Sequence, residues 1–549
     1  MKKQNSHSYI WIALIVTALL VVVRLWGLGT NPPSLNWDEA SHGVNAKNVL
    51  MTGRDEWGVS FPDIFRAFGD YKLPVYIYLT SLIVGISGLS EFSVRLVSAL
   101  SGLVTCWFIY LISKKEFRSK QMATIAALIS LALPWHVFLS RIALEANLSL
   151  AFIVAGVYGV FFSDKKIAIN LGLVSLALSM HTYNSARVVV PFLLVVALVK
   201  IVREKLIKTT LPGVFLIMIS LLLVTNQVVR GTGLSRYEKL SLLSENNVYQ
   251  IGQMRTNSSL PSVASKLLYN RPVYFAYRVS QNYKKYFSLA FLTQSDGAQA
   301  QFAIPGQNMI LWTNTLLLLV GSGYLLATNY KKGIVILLLS LLSFLPATIT
   351  DSPPQALRPL YVIPLIVLLI TYGYKAIIKL SKDGKVLVFG AVFVLMLLEF
   401  GGYYWKYTNV YPKKYNNAWQ PGYKEMVSKV IDKQSSYDRV IVTKYYGEPH
   451  IFFAFWNAYP TSSLMPNENN VRFKQSEWFW TDKVNKYYFV NDWDINKQNE
   501  VVKTESGLEL PLSKSLLVTR EENMFAGSKV VDRVYDLNGK TIFVISSYE

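Results

Sequence analysis

The chain reads as a mainly α, polytopic membrane protein of about eleven spans, with interfacial helices in its first outer loop and a small α/β or α+β domain at its C-terminal end. Three observations predict this. Of 549 residues, 52% are hydrophobic and only 16% are charged, too apolar for one soluble core of this length. Apolar runs recur along the chain with lysine clusters in the short loops between them. Beyond residue 404 the apolar runs stop.

The first run, "YIWIALIVTALLVVV" (9–23), is followed by "RLWGLGTNPP" rather than a small-residue cleavage site, so it reads as a retained span. Further candidate spans lie near 95–113, 121–139, 147–162, 167–182, 187–202, 211–229, 309–327, 333–350, 359–374 and 386–404. The segment "LPVYIYLTSLIVGISG" (73–88) is ambiguous, and counting it as a span would flip everything after it. Without it, Lys2-Lys3, "KKEFRSK" (114–120), "DKK" (164–166), "VREKLIK" (202–208), Lys331-Lys332 and "KAIIKLSKDGK" (375–385) all fall on one side. That is the positive-inside pattern. Residues 73–88 then form a helix against the outer interface, the N-terminus is cytoplasmic, and the protein is a multi-pass component of the plasma membrane.

Three sizeable segments become extracytoplasmic: 29–94, 230–308 and 405–549. The expected division is 1–404, a transmembrane catalytic domain carrying the first two as outer loops, and 405–549, a separate domain. In the latter "RVIVTKYY", "KYYFVND" and "TIFVISSY" read as short strands, and the tryptophans of "SEWFWTDKV" (476–484) read as core. The single cysteine, Cys106, excludes an intrachain disulfide. The net charge of +21 lies mostly in the orienting clusters, so it does not call for a nucleic-acid partner.

Unusual polar residues gather on the outer face. "NPPSLNWDEASHG" (31–43) holds Asp38 and Glu39, and "FGDYKLPVYIYL" holds Asp70 and Lys72. Arg95 starts the second span. "PWHVFLSRIALEAN" brings His136, Arg141 and Glu145. "HTYNSARVVVP" brings His181, Tyr183 and Arg187, and "TDSPPQALRPLYVIP" brings Asp351 and Arg358. Taken singly these are ordinary: a helix cap, snorkelling arginines, interfacial aromatics. Their shared placement marks function, because charge at membrane depth is costly. Carboxylates suit general-base work or a divalent cation, which Asp38, Glu39 or Asp70 would ligate. Arginine and lysine suit phosphate. At an outer membrane interface a phosphate belongs most naturally to a lipid.

These motifs resemble the GT-C fold glycosyltransferases that use polyprenyl-phosphate sugars. They are similar in pattern to the superfamily of protein O-mannosyltransferases and lipid A aminoarabinose transferases. The resemblance covers roughly residues 8–400. It is strongest in "NWDEASHGVNAKNVL" through "GDYKLPVYIYL", then in "FSVRLVSALSG" and "PWHVFLSRIALEAN". It implies that Asp38 is the catalytic base with Glu39 beside it, that Asp70 and Lys72 flank the sugar phosphate, and that Arg95 meets the lipid phosphate. The double proline of the second motif is here Leu73-Pro74, and loop 230–308 and the C-terminal domain match nothing in the pattern.

The function so implied is transfer of a sugar from a polyprenyl-phosphate donor to an acceptor hydroxyl on a protein, lipid or glycan outside the cell, with inversion at the anomeric carbon. Lys72, Arg95, Arg187 and Arg358 would hold the donor phosphate. Asp70, Arg141, Glu145, His181 and Tyr183 would line the substrate pocket. The rival reading is a polytopic transporter or lipid-linked-glycan flippase, which would place charges mid-span and in paired halves.

Overall fold

In a computed structural model the described residues are 4–233, 240–351, 354–380, 385–495, 497–498 and 500–548, with the backbone alone for 4–10, 380, 385, 386, 389 and 494. Lys2, Lys3 and Lys382 of the basic clusters lie outside them. The chain forms two compact units: Met1–Trp26 with Ser98–Lys406, and Gly27–Val97 with Tyr407–Glu549. The loop 29–94 thus belongs to the same unit as the C-terminal residues, whereas the division expected from the sequence groups it with the membrane spans.

In the first unit a helix occupies each stretch expected to span. Among the described residues five helices are long and apolar enough to cross a membrane: Glu91–Phe117, Glu145–Phe162, Ile207–Val229, Tyr330–Thr348 and Leu360–Lys379. Lys120–Leu131 and Pro134–Ser140 make a sixth if the pair, bent by 58°, counts as one span. The expected count of about eleven is therefore not reproduced. Lys166–Met180, with 15 residues, rises only about 22 Å against a hydrocarbon core of about 30 Å.

Close packing follows the small residues. A Cβ on Gly321 would sit 1.9 Å from the carbonyl oxygen of Leu369, and one on Gly373 would sit 2.1 Å from that of Leu317. Trp312–Thr328 and Ile363–Leu380 therefore meet backbone to backbone, as small residues permit in membrane helices. Arg24, buried at the end of Gln4–Leu25, holds the bent pair. Its guanidinium donates to the carbonyls of Ser130 (2.7 Å) and Leu131 (3.2 Å) and to Ser140 Oγ (3.0 Å), with His136 Nδ1 at 3.2 Å. A cation at the carbonyl end of a broken helix is stabilised by the orphan acceptors there.

The second unit is built on a mixed seven-stranded sheet. Its strands are β1 (Arg439–Thr443), β2 (Asn470–Gln475), β3 (Trp478–Val484), β4 (Tyr487–Val490), β5 (Ser515–Thr519), β6 (Lys529–Tyr535) and β7 (Thr541–Tyr548). They run in the order β6-β7-β5-β1-β4-β3-β2. β1 is parallel to β4 and β5, and the remaining pairs are antiparallel. The three segments expected as strands become β1, β4 and β7. Val440, Ile441 and Val442 are all buried, the continuous apolar run of a central strand covered on both faces.

The loop 29–94 supplies two helices to this unit. Trp37–Thr52 begins at Asn36 with a full capping box: Glu39 N donates to Asn36 Oδ1 (2.9 Å), and Asn36 N donates to Glu39 Oε2 (3.3 Å). It ends at Gly53, whose φ of 68° is the left-handed closing conformation. Pro74–Ser87 starts on its proline, and its Ile77 and Val84 pack with Ala46, Val49 and Phe65. At 14 residues it reaches about 21 Å, too short to span.

Candidate functional site

Two neighbouring carboxylates at the start of Trp37–Thr52 face different surroundings. The Asp38 side chain is 56% exposed, and its Oδ1 lies 2.8 Å from Lys72 Nζ. The same ammonium donates to the Asp38 carbonyl at 2.9 Å. Lys72 reaches this position through a two-stranded turn in which Phe65 pairs with Lys72 and Arg66 with Tyr71. Phe65, buried in the apolar cluster with Ala46 and Ile77, anchors that turn. Asp70 forms the bend, its carboxylate accepting from Tyr71 N at 2.8 Å. An exposed carboxylate in the first turn of a helix also lies at the positive end of the helix dipole.

Glu39 is fully buried. Arg95 Nε meets Glu39 Oε1 at 2.9 Å and Nη2 meets Oε2 at 2.9 Å, a forked ion pair. The other Arg95 protons go to the carbonyls of Leu28 (3.1 Å), Pro32 (3.0 Å) and Ser34 (2.6 Å). Five bonds match the five donors that a guanidinium carries. Arg95, expected at the lipid phosphate, is thus committed to protein acceptors, and Glu39, expected to assist catalysis, is committed to Arg95 and the cap.

The remaining expected residues belong to the first unit. Arg141 is buried and donates to the carbonyls of Val23 (2.9 Å) and Arg24 (3.0 Å). Glu145 opens the helix Glu145–Val157. His181 Nε2 lies 2.9 Å from Ser220 Oγ, and Tyr183 is buried. Arg187 bonds the Met180 carbonyl (3.0 Å) and Gln227 Oε1. Arg358 donates to Thr350 Oγ1 at 2.7 Å. Nearby, Asp351 accepts from Arg278 (2.5 Å) and Asn247 (2.8 Å), which ties the loop helices Glu245–Thr256 and Arg271–Tyr286 to this turn. The same unit holds an apolar groove of about 280 Å³, lined among others by Leu318, Leu325, Ile336, Phe344 and Ile366.

Several residues of the second unit escape sequence reasoning. Glu56, buried, accepts from Asn45 Nδ2 (2.9 Å) and pairs with Arg472 (2.7 Å). Asp55 Oδ1 accepts from the backbone of Trp57 and Val59, both at 2.9 Å, and burial pushes its carboxyl above the usual range. "RDEW" (54–57) is an acidic pair as visible as Asp38-Glu39, but no span end lies beside it to single it out. As for a metal, no three His, Cys, Asp or Glu side chains among the described residues come together as a ligand set. Glu39 faces a guanidinium, so the acidic pair does not converge on one ion.

Residues 72–229 match the family model described as dolichyl-phosphate-mannose-protein mannosyltransferase. No curated protein matches the sequence. Among solved structures, ArnT from Cupriavidus metallidurans in the apo state aligns over 98% of both chains at 10% identity, with a TM-score of 0.51. The chain has the GT-C fold. The same protein bound to undecaprenyl phosphate aligns over 97% of this chain and 98% of that one at 12% identity (TM-score 0.46). The Archaeoglobus fulgidus oligosaccharyltransferase tethered with an acceptor peptide covers 81% of this chain and 63% of its own at 9% identity (TM-score 0.45). With its apolar helices, the GT-C fold makes this a multi-pass membrane protein, and the mannosyltransferase match supports glycosyl transfer in general.

Proposed function

We propose that the chain transfers a sugar from a polyprenyl-phosphate donor to an acceptor hydroxyl on the extracytoplasmic side, with Asp38 as the general base. The observation that carries this is the Asp38–Lys72 pair: an exposed carboxylate held 2.8 Å from a nearly buried ammonium, on a helix start fixed by the neighbouring Glu39–Arg95 lock. The acceptor oxygen attacks the anomeric carbon as its proton passes to Asp38. The bond from that carbon to the phosphate oxygen breaks, its electron pair stays on the lipid phosphate, and the configuration inverts. Lys72 pairs with Asp38 until the donor arrives, then turns its charge toward the phosphate and frees the base. Arg187 and Arg358 are proposed as further phosphate contacts, and Asp70, Arg141, Glu145, His181 and Tyr183 as pocket residues. In this reading Glu39 and Arg95 hold the base in place. The acceptor is a hydroxyl of a protein, lipid or glycan.

The test is complementation of a null strain with wild-type or Asp38→Asn protein at equal membrane abundance, followed by mass spectrometry of surface fractions. Loss of one envelope sugar in the null strain, restored by wild type alone, is expected. Restoration by the Asn variant would remove Asp38 from the mechanism.

A further inference from the structure

The segments that carry Asp38 and Lys72 both pack against one strand pair of the second unit. Trp478, which opens β3, lies with its six-membered ring over Gly69: a Cβ there would meet Trp478 Cε3 at 2.5 Å. Its ring stacks on Phe68 (centroids 6.3 Å apart, 23° between planes) and meets Trp37 edge-on at 6.3 Å. Trp37 immediately precedes Asp38, while Gly69 immediately precedes Asp70 and lies three residues before Lys72. The next residue, Phe479, donates its backbone N–H to the Phe68 carbonyl at 2.7 Å, which adds the loop to the strand. Trp478 Nε1 donates to the buried carboxylate of Glu448 at 2.5 Å, which fixes the plane of the indole.

A second clamp lies on β2. Arg472 pairs with Glu56 Oε2 at 2.7 Å, donates to the Glu56 carbonyl at 2.8 Å, and lies 3.6 Å from the centroid of the Trp57 ring. Glu56 is in turn bonded to Asn45 on the helix that carries Asp38, by Asn45 Nδ2 at 2.9 Å and by its own N–H to Asn45 Oδ1 at 3.0 Å. From the far side Gln420 Oε1 accepts from Trp37 N at 2.7 Å. A ring stacked on backbone, and an arginine held by both the buried carboxylate and the main-chain carbonyl of one residue, are stiff contacts, unlike a flexible rim.

We propose that Trp478 and Arg472 are positioning residues: the β2–β3 hairpin sets the separation and orientation of Asp38 and Lys72, so that the C-terminal domain controls the catalytic pair. This rests on the reading of Asp38 as base. The ring contact over Gly69 fixes the turn that carries Lys72, and the Arg472–Glu56–Asn45 chain fixes the helix that carries Asp38.

The experiment uses the full chain in lipid nanodiscs and in cells, with Trp478→Ala, Trp478→Phe, Arg472→Ala and Asp38→Asn. Hydrogen exchange is expected to quicken about tenfold in 36–40 and 65–72 for the two alanine variants, while 439–443 and 515–519 keep wild-type protection. In cells at equal membrane abundance, Trp478→Ala is expected to cut sugar transfer at least about tenfold. Trp478→Phe, which keeps an aromatic ring over Gly69, recovers more than half. Unchanged exchange in the loop would overturn the proposal, and so would loss of protection throughout β1 and β5, which marks general unfolding. Failure of phenylalanine to rescue would also overturn it. Transfer surviving in Asp38→Asn defeats the functional reading, whereas the exchange data decide separately whether the hairpin orders the loop.

Discussion

Asp38 and Glu39 are neighbours in sequence and opposites in structure. Glu39 is sealed, its two oxygens shared between a guanidinium and a helix cap. Asp38, one residue earlier, turns its carboxylate outward beside Lys72, with 56% of the side chain exposed. The difference teaches how a fold places a reactive group: rigidity comes from the buried pair and reactivity from the exposed one. A buried ion pair whose lone pairs are all satisfied contributes little net stability, yet removing one partner is costly. A pair with one exposed partner, as in Asp38 beside the nearly buried Lys72, leaves the carboxylate able to exchange its partner for substrate.

The largest test of that contrast is activity against stability. Asp38→Asn is expected to lower sugar transfer by about 10²–10⁴-fold and to shift the thermal midpoint by less than about 2 °C. Glu39→Ala is expected to do the reverse, costing about 3–5 kcal/mol in chemical unfolding because Arg95 is left buried without its counter-charge. If Glu39→Ala protein unfolded like wild type yet failed in transfer, Glu39 would join the chemistry and the contrast would collapse. Lys72→Met comes next. It strands no buried charge, so the fold should hold, while binding of a polyprenyl phosphate, titrated in nanodiscs, weakens about tenfold through loss of one charge-assisted contact. Equal affinity in the methionine variant would take Lys72 off the phosphate.

The smallest effect is expected at Asp55. Burial raises its carboxyl pKa in the folded chain, so the folded state binds the proton more readily than the unfolded chain. This contribution to stability is full below the unfolded value and is lost as pH rises through the folded one. Asp55→Asn keeps an acceptor for Trp57 and Val59 and removes the buried charge. The midpoint at neutral pH should rise by about 1–2 °C, and the difference should vanish in scans near pH 3. A variant less stable than wild type at neutral pH would show that Asp55 is favoured as the anion.

Much of this is legible in the chain. Each expected span is helical, 121–139 as the broken pair Lys120–Leu131 and Pro134–Ser140, because hydrophobic runs and their basic flanks are local signals. The spacing of Asn36 and Glu39 is that of a capping box, so the start of the helix bearing Asp38 can be read from four residues. The number of true crossings is less legible: length decides it, and several apolar helices are short or bent. Arg24 looks in the sequence like any end-of-span arginine, although it is buried against the broken pair.

The sequence by itself determined the class of protein, the positions of its apolar helices, three strands of the C-terminal sheet, and the acidic stretch on which a site is proposed. Those follow from composition, periodicity and caps, which act within a few residues. Tertiary structure alone decided which carboxylate is buried, since Arg95 meets Glu39 across 56 positions. It also joined the loop 29–94 to the C-terminal sheet, since Arg472 meets Glu56 across 416. Partners so distant are chosen by packing and by the cost of leaving a buried charge unpaired, and neither leaves a mark on the local pattern.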